Sequence, residues 1–139
     1  MEKNMERFQK LDDGWIKDNL LGIDWGPSSV NPMTWKEAKE YCASQGGRLP
    51  KVNVLANLVD RNKHNPAIDT NFFSDTKSNS WFWTSTEVPQ DLSLAWMVDF
   101  INANYLLNAT WLKVFTCGNI NYCNKDSSNY VRPVRSCKS

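Results

Sequence analysis

Cys42, Cys117, Cys123 and Cys137 are the residues whose types carry the most chemistry in this 139-residue chain. A thiolate is a nucleophile and a soft metal ligand, and two thiols within reach of each other can close a disulfide. Four cysteines allow three pairings, and the spacing alone does not choose among them. Zinc is not expected, because there is no Cys-x-x-Cys and His64 is the sole imidazole. Reduced, buried thiols are the plain alternative, above all for Cys42, which falls on the apolar face of a predicted helix. A Ser-His-Asp arrangement would need His64, which lies between Lys63 and Asn65 in a polar connector with no nucleophile elbow. It reads as a solvated loop histidine, and no catalytic group, metal or cofactor is expected.

The elements that would hold such residues must come from one modest domain. At this length roughly 70% of the unfolded surface is buried on folding, and a hydrophobic share of 41% with seven Trp excludes a disordered tail or a coiled coil. The formal charge of +1 lacks the basic excess of a phosphate-backbone binder, so nucleic acid is not an expected partner. No apolar run approaches the ~20 residues that cross a bilayer, and the first ten residues are too charged for a signal-peptide core. Residues 1–12 read as a polar lead-in and 13–139 as a single domain.

Along the chain, Gly14-Trp15-Ile16-Lys17 and Ile23-Asp24-Trp25 flank a turn signal and predict a hairpin. Thr34-Trp35-Lys36-Glu37 is a capping box that starts a helix with Trp35, Ala38, Tyr41 and Cys42 on one face, stopped by Gly46-Gly47. Asn53 is the expected cap of a shorter helix carrying Leu55, Leu58 and Val59. The period then changes: residues 81–86, 95–100 and 130–135 read as core strands. Between the last two, Ile101 to Asn129 shows no sustained period and seven Asn, and reads as a long functional loop.

The string Thr34-Trp35-Lys36-Glu37-Ala38, Tyr41-Cys42, Gly46-Gly47-Arg48-Leu49-Pro50 resembles the first-helix signature of C-type-lectin-like domains. The wider order, from Asp18-Asn19 and Gly22-Ile23-Asp24-Trp25 through Ile68-Asp69-Thr70, Phe72-Phe73, Trp81 to Glu87 and Ala95-Trp96 to Val131-Arg132-Pro133-Val134-Arg135, is similar to the Legionella collagen-like protein C-terminal domain family. The chain departs from that pattern at Val54-Leu55, where the family usually carries Glu-Leu, and at Cys117 to Cys123, which looks like an insertion. The tail, with its Thr84-Ser85-Thr86-Glu87 strand, Asn-rich text and closing Tyr130 to Arg135, resembles the variable proteins of diversity-generating retroelements, relatives of the phage major tropism determinant. These likenesses imply an α+β, C-type-lectin-like fold: two helices packed on short twisted antiparallel sheets, with long irregular loops. They imply a Cys42–Cys137 disulfide tying helix to final strand, a small loop closed by Cys117–Cys123, and hence an extracellular or virion-surface location. Calcium-dependent sugar binding is not implied, since Glu87-Val88-Pro89-Gln90-Asp91 matches the lectin motif only superficially and Trp96-Met97-Val98-Asp99 lacks its second half.

The expected function is recognition of a protein or glycan receptor, as a monomer or trimer, by a variable surface on a constant scaffold. Its candidate residues are Val88, Asp91, Leu92, Ser93 and Leu94, taken as an exposed connector, beside Leu106, Leu107, Trp111, Leu112, Val114, Phe115, Asn119 and Asn121. Trp81, Trp83 and Trp96 would be scaffold, and Arg48, Arg132 and Arg135 buried or partly buried anchors. Two alternatives are an undiversified adhesin for sulfated polysaccharide, as the collagen-like family suggests, and a lectin-fold enzyme with reactive Cys117 and Cys123. The near-neutral charge weakens the first.

Overall fold

The computed structural model of the protein describes residues 6–60, 66–76, 80–102 and 117–137. Its elements run β1 (Phe8–Lys10), β2 (Ile16–Asp18), β3 (Ile23–Trp25), α1 (Trp35–Ser44), α2 (Val52–Ala56), β4 (Trp81–Val88), β5 (Asp91–Asn102), β6 (Cys117–Asn124) and β7 (Val134–Ser136). They form two antiparallel sheets, β1-β2-β3-β7 and β4-β5-β6.

The predicted hairpin is β2–β3, with Ile16 opposite Trp25 and Gly22 in the left-handed region at φ 69°. Buried Asp18 closes its turn: Oδ1 accepts from the amides of Leu20 and Leu21, and Oδ2 accepts from Trp25 Nε1 at 3.0 Å and from Arg7 at 2.9 Å. Burial opposes the Asp18 charge, but the hydrogen bonds from Arg7 and Trp25 outweigh it and hold the carboxyl below its ordinary value. Arg7 belongs to the stretch read as a lead-in, and that reading is corrected here. Residues 8–10 are β1, paired with β2, and the Phe8 ring meets Phe73 edge-on at 5.0 Å. Three residues are too few to show a strand period, so the signal lay only in Phe8.

Helix α1 starts as its capping box predicts: the Glu37 amide donates to Thr34 Oγ1 at 3.3 Å, and Glu37 Oε1 accepts from the Thr34 amide at 3.0 Å. Ala38 and Cys42 are buried, while Trp35 is half-buried and donates from Nε1 to the Thr84 carbonyl at 2.9 Å, tying the helix to β4. Gly47 then lies flush against β7. A Cβ there would sit 2.5 Å from the Val134 carbonyl oxygen, so only glycine allows the paired Arg48–Val134 hydrogen bonds of 2.8 and 2.9 Å that follow. Helix α2 begins two residues earlier than expected, with Lys51 at its cap, Asn53 inside it and no side-chain cap bond.

The larger core joins the sheets through Trp25, Leu55, Ile68, Phe73, Phe82, Val98 and Phe100. A smaller one lies between α1 and the second sheet, where Ala38, Cys42 and Leu49 meet Trp83, Ala95 and Val131. The predicted strand 130–135 shortens to β7. Residues 131–133 before it are buried, and Tyr130 instead exchanges backbone bonds of 2.9 Å with Trp81 and Trp83. The expectation of a loop from 101 to 129 is also corrected, because β5 runs to Asn102 and β6 occupies 117–124.

Candidate functional site

From Leu94 opposite Asn124 to Asp99 opposite Asn119, β5 and β6 pair in unbroken register. Strand alternation therefore puts Leu94, Trp96 and Val98 on one face with Asn124, Tyr122 and Ile120. The face leaves the core as it goes: Val98 is fully buried, Trp96 and Leu94 half-buried, and Tyr122 and Ile120 are 48% and 54% exposed. Trp96 and Tyr122 meet edge-to-face at 5.2 Å and 88°, the pairing that aromatic quadrupoles favour. β6 is an edge strand, and Asn121 on its opposite face, across from Met97, is exposed as well. The result is an aromatic and aliphatic patch with amide neighbours, able to contact a partner by shape and apolar burial.

The structure divides the predicted site residues. Leu92 is 63% exposed, as expected, and Asp91 and Ser93 are exposed. Their polar groups serve each other: the Ser93 hydroxyl donates to Asp91 Oδ1 at 2.6 Å and the Ser93 amide at 3.0 Å. These bonds lower the Asp91 carboxyl below its ordinary value. Val88 is a correction, being 8% exposed at the inner end of β4. The connector it was assigned to is a tight turn at Pro89-Gln90, and Asp91 to Leu94 already belong to β5. Leu106, Leu107, Trp111, Leu112, Val114 and Phe115 lie outside the described residues. Asn102 pairs with Cys117 at one end of the sheet, and Leu94 with Asn124 near the other. Asn119 and Asn121 are in β6. Ile120, Tyr122 and Trp96 were missed. A short Ile-x-Tyr alternation was the available signal, masked by the surrounding Asn and Gly.

The cysteine pairings are also corrected. Cys42, Cys123 and Cys137 are free thiols. Cys42 is buried in the smaller core, and burial pushes its thiol up to about 12, so it stays protonated and inert at neutral pH. Cys137 instead sits by Asp24, with Sγ 3.5 Å from Oδ1; burial first, and then that carboxylate, raises its thiol. Cys117 and Cys123 occupy the two ends of β6. Six steps of extended strand set them about 20 Å apart, against the roughly 7 Å Cα limit for a disulfide, so these positions do not close a loop. A long-range bridge would contribute about 3–5 kcal/mol. Reductant is therefore expected to leave the melting temperature of the folded protein unchanged, and a fall on the order of 10 °C in calorimetry would show a bridge that these positions deny.

Of the expected arginine anchors, Arg132 is 2% exposed. It donates to the Gly26 carbonyl at 2.8 Å, Asp75 Oδ1 at 2.6 Å and Thr76 Oγ1 at 2.9 Å. Arg135 is half-buried, bonded to Asp24 and Asp13, with its guanidinium 4.1 Å from the Trp15 ring centre. Arg48 is a correction: its backbone is pinned to Val134, but its side chain is exposed. Trp83 is scaffold, fully buried with Nε1 donating to the Met33 carbonyl at 2.8 Å. Trp96 supports Tyr122 at the patch, and Trp81 is half-buried.

A model of the Lcl C-terminal domain family matches residues 14–135, nearly the whole described fold. The chain belongs to this family. Its two helices on two antiparallel sheets are accordingly the C-type-lectin-like α+β fold that the sequence motifs imply. Membership makes it a ligand-binding, adhesin-like domain and supports an extracellular setting. No curated protein and no solved structure matches the chain. Among the described residues, no helix of this Lcl-family domain is long and apolar enough to cross a membrane, and no cluster of three or more His, Cys, Asp or Glu is arranged to hold a metal ion.

Proposed function

We propose that the domain recognises a protein or glycan receptor outside the cell through the β5–β6 face, and that this face is diversified by a retroelement. One observation carries the reading: β6 exposes Ile120, Tyr122 and Asn124 on one face at a sheet edge, with Trp96 and Leu94 beside them. Side chains with little packing duty can change at little cost to the scaffold, which is what a diversified surface requires. Aromatic and aliphatic groups flanked by amides suit partners met by shape, and Tyr and Trp are the side chains that most often dominate such interfaces. A sulfated chain would instead need free cations on this face. Among the described residues, the cation adjoining it, Lys125, is committed to Glu87 at 2.6 Å and lies 4.2 Å from the Trp35 ring centre. The face therefore favours an uncharged or weakly charged epitope.

Two measurements test the proposal. Sequencing the flanking DNA is expected to find a reverse transcriptase beside a near-copy of the segment encoding residues ~85–130, the copies differing at adenines. Its absence would remove diversification and leave recognition standing. Probing arrays of surface glycans and surface proteins with the multivalently displayed domain is expected to return binders that heparin does not displace. Signal confined to sulfated glycans would overturn the assignment to this face.

A further inference from the structure

A concavity lies elsewhere and shares no residue with the β5–β6 patch. It is a cleft of about 500 Å³ between α1, α2 and the first sheet, within the range that small-molecule sites occupy. Ile23, Leu49, Val54 and Val134 give it an apolar floor, and Lys39, Arg48 and Lys51 stand at its edge; among the described residues no carboxylate lines it. In a chain of net charge +1, three cations around one apolar hollow are a local excess. They are also available. Among the described residues no ion pair engages Arg48 or Lys51, and both are exposed, while Lys39 rests 4.4 Å from the Trp35 ring centre.

The cleft is pre-formed by backbone, not by mobile side chains. Gly47 presses against Val134, and the two Arg48–Val134 hydrogen bonds fix the chain where the Arg48 side chain departs. Lys51 is held three residues on, as the cap of α2. Ile23 and Val54 are only half-buried and face the hollow, so an apolar occupant would remove from water a surface that the fold leaves wet.

We infer that this cleft binds a small amphipathic anion, an apolar body or chain bearing one carboxylate or sulfate, with the apolar part on Ile23, Leu49, Val54 and Val134 and the charge against Arg48 and Lys51. A guanidinium takes such a head group through two parallel hydrogen bonds, and the neighbouring ammonium adds point charge. An apolar floor sets this ligand apart from a polyanion, for which the cations alone would serve.

Calorimetric titration of the full chain with decanoate, decyltrimethylammonium and a heparin oligosaccharide tests the inference. Decanoate is expected to bind at least tenfold more tightly than the cationic amphiphile. Arg48→Ala/Lys51→Ala should weaken it at least tenfold. Ala43→Trp, from an exposed position on the cleft wall, should abolish binding with the melt retained. Decanoate binding that Ala43→Trp leaves intact would overturn the proposal, as would heparin binding lost in the double variant with no decanoate binding in the parent. Neither result bears on Ile120 or Tyr122, so the receptor-recognition reading stands or falls separately.

Discussion

Trp83→Ala is expected to lose about 3–5 kcal/mol of folding stability, the usual range for deleting a buried large aromatic. Trp83 is fully buried where α1 meets the second sheet, among Ala38, Cys42, Leu49, Ala95 and Val131. These neighbours sit on a helix, two hydrogen-bonded segments and a strand, so the space left by an indole cannot collapse easily. The loss also strands the Met33 carbonyl, which accepts from Trp83 Nε1 at 2.8 Å. Against a total of roughly 5–15 kcal/mol for a domain, the melting temperature should fall by on the order of 10–20 °C. Urea denaturation followed by tryptophan fluorescence checks this; a loss under about 1 kcal/mol would show that the smaller core does not hold α1 in place.

Arg132→Ala should be nearly as damaging, at about 3 kcal/mol, because its removal leaves the Gly26 carbonyl and Thr76 hydroxyl without their charged donor in a buried site. The figure is kept to the low end because Asp75, its ionic partner, has a side chain that is 42% exposed and can turn to water. Acid gives an independent reading of the same cluster. Burial opposes the Asp75 charge, but the Arg132 charge and hydrogen bond override it and lower the carboxyl from its ordinary 3.8; Asp18 is lowered likewise. A carboxylate held below its unfolded value contributes stability that is present above about pH 4 and lost as pH falls through the folded value. The wild-type melt should therefore drop as pH goes below about 4, and Arg132→Ala should show a shallower drop. Equal acid sensitivity in both proteins would mean that Asp75 is not charged against Arg132.

The scaffold was legible wherever local chemistry and tertiary packing agree. Thr34 and Glu37 name the start of α1, Gly22 names the hairpin turn, and the aromatic runs name β4 and β5. The illegible parts are those whose structure is decided by a partner distant in sequence. β1 exists because β2 pairs with it and Phe73 receives Phe8. β6 exists because β5 offers a ladder edge, and the Gly and Asn that argue against a strand are tolerated there, at an edge with little to bury. Disulfides were inferred from a family pattern, and what overrode it was position: Cys42 faces Trp83, Cys137 faces Asp24, and β6 holds Cys117 and Cys123 apart. For the candidate surface, the exposed character of Leu92 was visible, but its neighbours were not, because adjacency across a sheet is set by register and not by nearness in sequence.

The central claim is that the exposed side chains at the sheet edge serve recognition and carry little of the folding energy. Leu92→Ser/Ile120→Ser/Tyr122→Ser tests it in a single preparation, with the thermal melt and the capture of array-identified receptors measured together. Exposed positions change stability by roughly 0.5 kcal/mol or less each, so the melt should stay within a few degrees of the parent while capture falls at least tenfold. A melt lowered by 10 °C or more, or capture equal to that of the parent, would contradict the account.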